Sequence, residues 1–275
     1  MMIKGNDTAL SILLLAICVL GCSKSSKEAN SNSSNQPTKP TVATVKTNAD
    51  GTIPSGTGVE REKPAAGKGN VQGKAFFNEK PAENVEVKLC EKFSQYLSGC
   101  GGEVFTTRTD SQGEYLIKDV PPRIYEGLTV KVFNTNYYVF ATAGIAQTAK
   151  YKIESDQTFF APDTNLFKND LKLVSPKAGA KTDANNIEVR WDSYPDAAYY
   201  KMSIYADTAS GAKPEYDFIG RRVDGESFTL DKPLAPGSYN PRVEAYNGND
   251  IKLSQSPGDI KFTVTGGAAA PPATK

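Results

Sequence analysis

The stretch TTRTDSQGEYLIKDVPP, residues 106–122, decides the fold. Asp110 to Gly113 supplies a turn, because an Asp side chain bonds its own backbone two residues on and Gly takes positive φ without steric cost. Tyr115 and Ile117 then fall on one face of the strand that follows. Working outward, short runs of the same kind recur: VQGKAFF (71–77), ENVEVKL (83–89), EVFTTRT (103–109), LTVKVF (128–133), YYVFATA (137–143) and AKYKI (149–153). They are rich in Val, Tyr, Phe and Thr, and turn residues separate several of them. A period of two, broken at short intervals, predicts antiparallel strands and an all-β sandwich.

Together with GKAFFNEKPAENVEVKL (73–89), this stretch resembles the carboxypeptidase regulatory-like domain, a transthyretin-like β-sandwich. The likeness rests on Gly73, Pro81, Val85, Val87, Leu89, Thr109, Asp110, Gly113, Tyr115, Val120 and Pro121, and covers most of residues 69–172. Two departures stand out: the segment from Cys90 to Cys100, and RIYEGL (123–128) where the family has a simpler Gly-x-Tyr. The resemblance implies a non-catalytic module that serves as folding aid, spacer or recognition surface.

Farther on, LVSPKAGAKTDANNIEVRWDSYPDAAYYKMSIYAD (173–207) and FTLDKPLAPGSYNPRVEAYNGNDIKLSQSPGDIKFTV (228–264) resemble a fibronectin type III domain. Trp191, the Tyr200, Met202, Ile204 alternation, LAPGSYNPRVEAY and the closing IKFTV carry that likeness, which spans residues 173–265. It implies a core role for Trp191 and a corner tie for Tyr239. Pro241 departs from it, since proline cannot donate to a ladder and needs an edge, a bulge or a late strand start. No Arg-Gly-Asp motif occurs, and the tail 266–275 is expected to be disordered.

The chain has 275 residues, 32 basic and 31 acidic, for a formal net charge of +1. That balance gives no case for nucleic acid, which needs a concentrated basic surface. Histidine is absent, so Ser-His-Asp, Cys-His and His-zinc mechanisms are excluded. A glycosidase using paired Asp and Glu remains as a less favoured reading, because it needs two carboxylates placed in one cleft. Asp156, Asp163 and Asp170 in ESDQTFFAPDTNLFKND (154–170) have the oxygen ligands calcium wants, but their spacing matches no calcium loop, and a solvated linker is the preferred reading. No metal, cofactor or catalytic residue is expected.

At the N-terminus, ALSILLLAICVLG (9–21) is 13 residues of nearly unbroken apolar sequence. This suits a signal-peptide core and falls short of the roughly 20 residues a membrane-spanning helix requires. The run ends in VLGC (19–22), which resembles the lipobox of bacterial lipoproteins. The resemblance implies cleavage after Gly21 and acylation of Cys22, including palmitate-type chains; Cys18 is the weaker alternative because Ile17 would flank the cut. Several acyl chains are needed for stable anchoring, since one alone binds reversibly. Cys18 then leaves with the leader, and Cys90 and Cys100 remain as an expected disulfide in an oxidising compartment, against a two-cysteine metal site. Residues 22–68 contain no Leu, Phe, Tyr, Trp or Met, and are expected to form a disordered tether.

NYYVFA (136–141) sets bulky apolar residues at successive positions, so both faces of that strand are apolar. It either packs against core or neighbouring domain, or exposes Tyr137, Tyr138 and Phe140 as a candidate ligand surface. The whole reads as two consecutive antiparallel β-sandwiches after a lipoprotein signal peptide and a tether. The expected function is non-catalytic binding of a protein or glycan partner at the bacterial envelope, on the outer membrane. The alternative is a structural subunit or spacer of a secretion, pilus or polysaccharide-export assembly.

Overall fold

A computed structural model describes residues 47–94, 99–141 and 149–266. The signal peptide, Cys22, the first part of the tether and the tail beyond residue 266 lie outside the described residues. The first sandwich comprises β1 (Thr52–Ile53), β2 (Gly69–Phe77), β3 (Lys80–Pro81), β4 (Glu86–Ser94), β5 (Gly99–Arg108), β6 (Glu114–Val120), β7 (Arg123–Tyr125), β8 (Gly127–Lys131), β9 (Tyr138–Phe140), β10 (Lys150–Ile153), β11 (Thr158–Phe160) and β12 (Thr164–Leu166). The second comprises β13 (Leu173–Ser175), β14 (Lys181–Thr182), β15 (Glu188–Trp191), β16 (Tyr199–Asp207), β17 (Arg221–Val223), β18 (Ser227–Thr229), β19 (Gly237–Tyr246), β20 (Lys252–Gln255) and β21 (Phe262–Val264).

In the first sandwich an antiparallel sheet, β5-β4-β8-β9, faces the sheet built around β2. Val87, Leu89, Leu128 and Val130 from one sheet meet Val71, Ala75, Tyr115 and Ile117 from the other in one buried cluster. The long ladders are antiparallel, and short parallel additions, β11 and β12 on β2 and β1 on β10, complete the sheets. In the second, the sheet β14-β21-β19-β16-β17 covers β13-β15-β18. Trp191, Met202, Ile204, Val243 and Phe262 fill the space between them. Tyr239 donates its hydroxyl to Ala235 O at 2.9 Å, tying the corner that the sequence predicts.

The expected tether ends earlier than residue 68. Asp50 and Gly51 turn the chain, and Thr52–Ile53 then adds in parallel to β10, with Ile53 1% exposed inside the first core. From there residues 59–62 lie along β2 as a strap. Gln72 holds it at both ends of its amide, accepting from Arg61 N at 3.1 Å and donating to Val59 O at 3.0 Å, and Asn70 donates to Glu62 O. A composition averaged over the whole tether hides a two-residue strand with one buried isoleucine.

Pro241 sits in the middle of β19, opposite Ile204 of β16, with neither a bulge in that ladder nor a late start. The other side of β19 is paired with β21 only over residues 237–239 and with β20 only over 244–246. Proline falls in the gap, where no ladder bond is asked of it, and Asn240 fills the gap with side-chain bonds to Gly258 O and Ile260 O.

Both sandwiches belong to one compact unit. The β2–β3 hairpin turns through Asn78 and Glu79, both at positive φ, as two-residue hairpin loops require. Their side chains grip the second sandwich: Glu79 accepts from Asn247 Nδ2 at 3.0 Å and Asn249 Nδ2 at 2.8 Å, and Asn78 Nδ2 donates to Asp196 at 2.8 Å. Lys168, in the connection, pairs its backbone with Leu253 and Gln255 of β20 while its ammonium sits 5.0 Å from the Phe77 ring.

Candidate functional site

Side chains alternate across a strand, so each residue of β4, β8 and β9 belongs either to the core or to the outer face. Val139 opposes Val130 and packs on the core, whereas Tyr138 opposes Lys131 and Phe140 opposes Thr129 on the outer face. Lys88 lies opposite the same Thr129 from the β4 side, and Thr106 of β5 opposite Lys88, which extends the row across all four strands. Tyr137 precedes the strand, is 57% exposed, and by the same alternation leaves on the opposite side. The structure therefore brings Tyr138 and Phe140 together and separates Tyr137 from them.

Phe93, which no sequence pattern marks, completes the cluster. Its ring meets Phe140 edge to face, with centroids 4.8 Å apart, a favoured aromatic arrangement. Phe93 lies across Gly127, where an added Cβ would come within 3.0 Å of the Phe93 Cβ. A larger residue at 127 would require the Phe93 ring to shift by a few tenths of an ångström. Phe93 belongs to the segment closed by the Cys90–Cys100 disulfide, whose Cα atoms are 5.3 Å apart. The bridge thus fixes the base of the loop that carries one of the three rings.

Polar groups border the aromatics. The Lys88 ammonium lies 3.1 Å from Glu86 Oε1 and 5.5 Å from the centre of the Tyr138 ring. The Tyr138 hydroxyl accepts from Lys88 at 3.4 Å and donates to Glu86 at 3.3 Å. Hydrogen bonding from Lys88, ahead of the opposing effect of burial, holds the Glu86 carboxyl below its ordinary range, and the same bond raises Lys88. Both stay charged around neutral pH. The result is a partly exposed row, Tyr138, Phe140 and Phe93, flanked by one fixed cation, one fixed anion and a phenol. Such a surface offers flat apolar faces and hydrogen-bonding groups of both kinds side by side.

The remaining sequence candidates lie away from this row. Trp191 is 2% exposed in the second core. Asp156 accepts from Gly67 N, and Asp170 accepts from Tyr194 Oη and Ser254 Oγ. Burial raises the Asp163 carboxyl, whose nearest charge influence is Lys74. Among the described residues no group of three or more His, Cys, Asp or Glu is placed to hold a metal ion.

No family model matches the chain, and no curated protein matches it. Among solved structures, the fibronectin III-like modules of Clostridium thermocellum CbhA share 13% identity over 74% of this chain and 92% of theirs, at a TM-score of 0.27. A Bacteroides uniformis protein, described as a candidate carbohydrate-binding protein, shares 11% identity over 72% of this chain and 99% of its own, at a TM-score of 0.26. The major pilin subunit BcpA of Bacillus cereus shares 12% identity over 72% and 69% of the two chains, at a TM-score of 0.25. Superpositions this loose carry no functional argument.

Proposed function

We propose that this protein is a non-catalytic, lipid-anchored component of the bacterial envelope whose first sandwich binds glycan on the outer face of the β5-β4-β8-β9 sheet. The observation that carries the reading is the row of Tyr138, Phe140 and Phe93 beside the Lys88–Glu86 pair. A sugar ring has apolar C–H faces that suit aromatic rings and a hydroxyl rim that both donates and accepts, so one ligand uses every group in the row. The lipobox-like VLGC supports acylation of Cys22 and outer-membrane attachment. The likeness to carboxypeptidase regulatory-like and fibronectin type III modules supports a role without catalysis.

The test has two parts. Full-length protein applied to a glycan array is expected to bind a defined subset of saccharides, and binding to none of them overturns the glycan reading. Cys22→Ala is expected to leave the membrane fraction and lose the mass of the acyl chains; a variant that stays membrane-bound at unshifted mass overturns the anchor.

A second reading, a spacer subunit of an envelope assembly, is favoured by the interlocked junction through Glu79, Asn247, Asn249 and Lys168. Crosslinking in intact cells that retrieves no stable protein partner counts against it.

A further inference from the structure

A concavity lies away from the aromatic row, where residues 48–55 meet β10 and β11. It is a cleft of about 440 Å³, within the roughly 300–1,000 Å³ typical of small-ligand sites. Ile53 and Phe159, both buried in the first core, form its apolar floor. Asp50, Lys152, Glu154 and Gln157 stand around the rim. Two carboxylates and one ammonium give the cleft a net charge of −1, so it disfavours anions.

The rim groups are positioned by bonds within the protein that leave bonding capacity over. Asp50 Oδ1 accepts from Thr52 N at 3.0 Å and from Thr52 Oγ1 at 2.6 Å, while no bond to Oδ2 occurs among the described residues. Lys152 pairs with Glu154 at 2.8 Å through one of its three N–H donors. Thr158, also lining the cleft and 8% exposed, has a buried hydroxyl with no hydrogen-bond partner among the described residues.

We infer that this cleft is a second binding site, for a short neutral saccharide of one or two rings. The apolar floor takes the C–H face of the ring, Asp50 and Glu154 accept from its hydroxyls, and Lys152 and Gln157 donate to them. The mixture of donors and acceptors matches groups that are each both donor and acceptor. A floor flanked by a single ion pair and a capped carboxylate suits an uncharged ligand better than a metal ion or an acid. The site is distinct from the aromatic row, since it is built from residues 48–55, β10 and β11 rather than from β4, β8 and β9.

The experiment uses isotope-labelled full-length protein in detergent micelles, titrated separately with maltose, lactose and N-acetylglucosamine. At least one of these is expected to shift the backbone amide signals of Gln157, Thr158 and Phe159. Lys152→Ala and Gln157→Ala, at partly or fully exposed positions whose unchanged melting temperature confirms folding, are expected to weaken that saturation at least fivefold. The inference is overturned if none of the three sugars moves these signals, or if both variants bind with unaltered affinity. Shifts confined to Tyr138 and Phe140 support the aromatic row and equally overturn the cleft.

Discussion

At the residue scale, the turn from Asp110 to Gly113 shows how much one carboxylate does. Asp110 Oδ1 accepts from Gln112 N at 3.0 Å and Glu114 N at 2.9 Å, and its Oδ2 meets Arg61 of the strap at 2.8 Å. Gly113, at φ 72°, lies so close that an added Cβ would be 2.5 Å from Ala75 O. Burial alone would raise the Asp110 carboxyl, but the two amide bonds and Arg61 together lower it from 3.8. The charged form is therefore favoured in the folded state. Its contribution is fully present above the unfolded value near 3.8 and is lost as pH falls through the lower folded value. Asp110→Ala is expected to destabilise the protein by about 2 kcal/mol near neutral pH, as hydrogen bonds to a charged group are worth. Urea unfolding repeated down to acid pH checks both effects, with the gap between wild type and variant closing in acid. The turn itself was legible because Asp and Gly impose it locally. Arg61 as its partner was not, since nothing in the order of residues 59–62 shows which strand they will lie along.

At the scale of elements, the long strands were legible and the short ones were not. Alternation marks β4, β6, β8 and β19 because each has one face in a core, whereas β1 is two residues long and has no period. If β1 is part of the fold, Ile53→Ala costs about 2–5 kcal/mol in chemical denaturation, the range for emptying a buried aliphatic site, and an inert tether would register no change. Both apolar faces of β9 were read from the sequence, and the structure gives each its own use: Val139 inward, Tyr138 and Phe140 outward. Phe93 escaped notice because its neighbour Phe140 is brought to it only by the β4-β8-β9 pairing. The disulfide links these levels. Closing a loop of ten residues stabilises by about 3 kcal/mol in the chain-entropy model. Replacing both cysteines by serine is expected to lower stability by that amount and to weaken glycan binding, because Phe93 loses its fixed base. Denaturation and a binding isotherm on the same sample check the pair of effects.

At the scale of the whole molecule, the junction decides whether the sandwiches act as beads or as one body. Glu79 anchors it by accepting from two asparagines. Pairing across domains leaves no local signal, which is why the junction was invisible in the sequence while both sandwiches were visible. Wild-type sandwiches are expected to tumble with one correlation time in nitrogen-15 relaxation, and Glu79→Ala to give two. The most direct measurement is the affinity of full-length protein for its best glycan from the array, compared with Tyr138→Ala and Phe140→Ala. Binding through the aromatic row requires at least a tenfold loss in each, about 1.4 kcal/mol, at unchanged melting temperature. Unchanged affinity in both variants contradicts it.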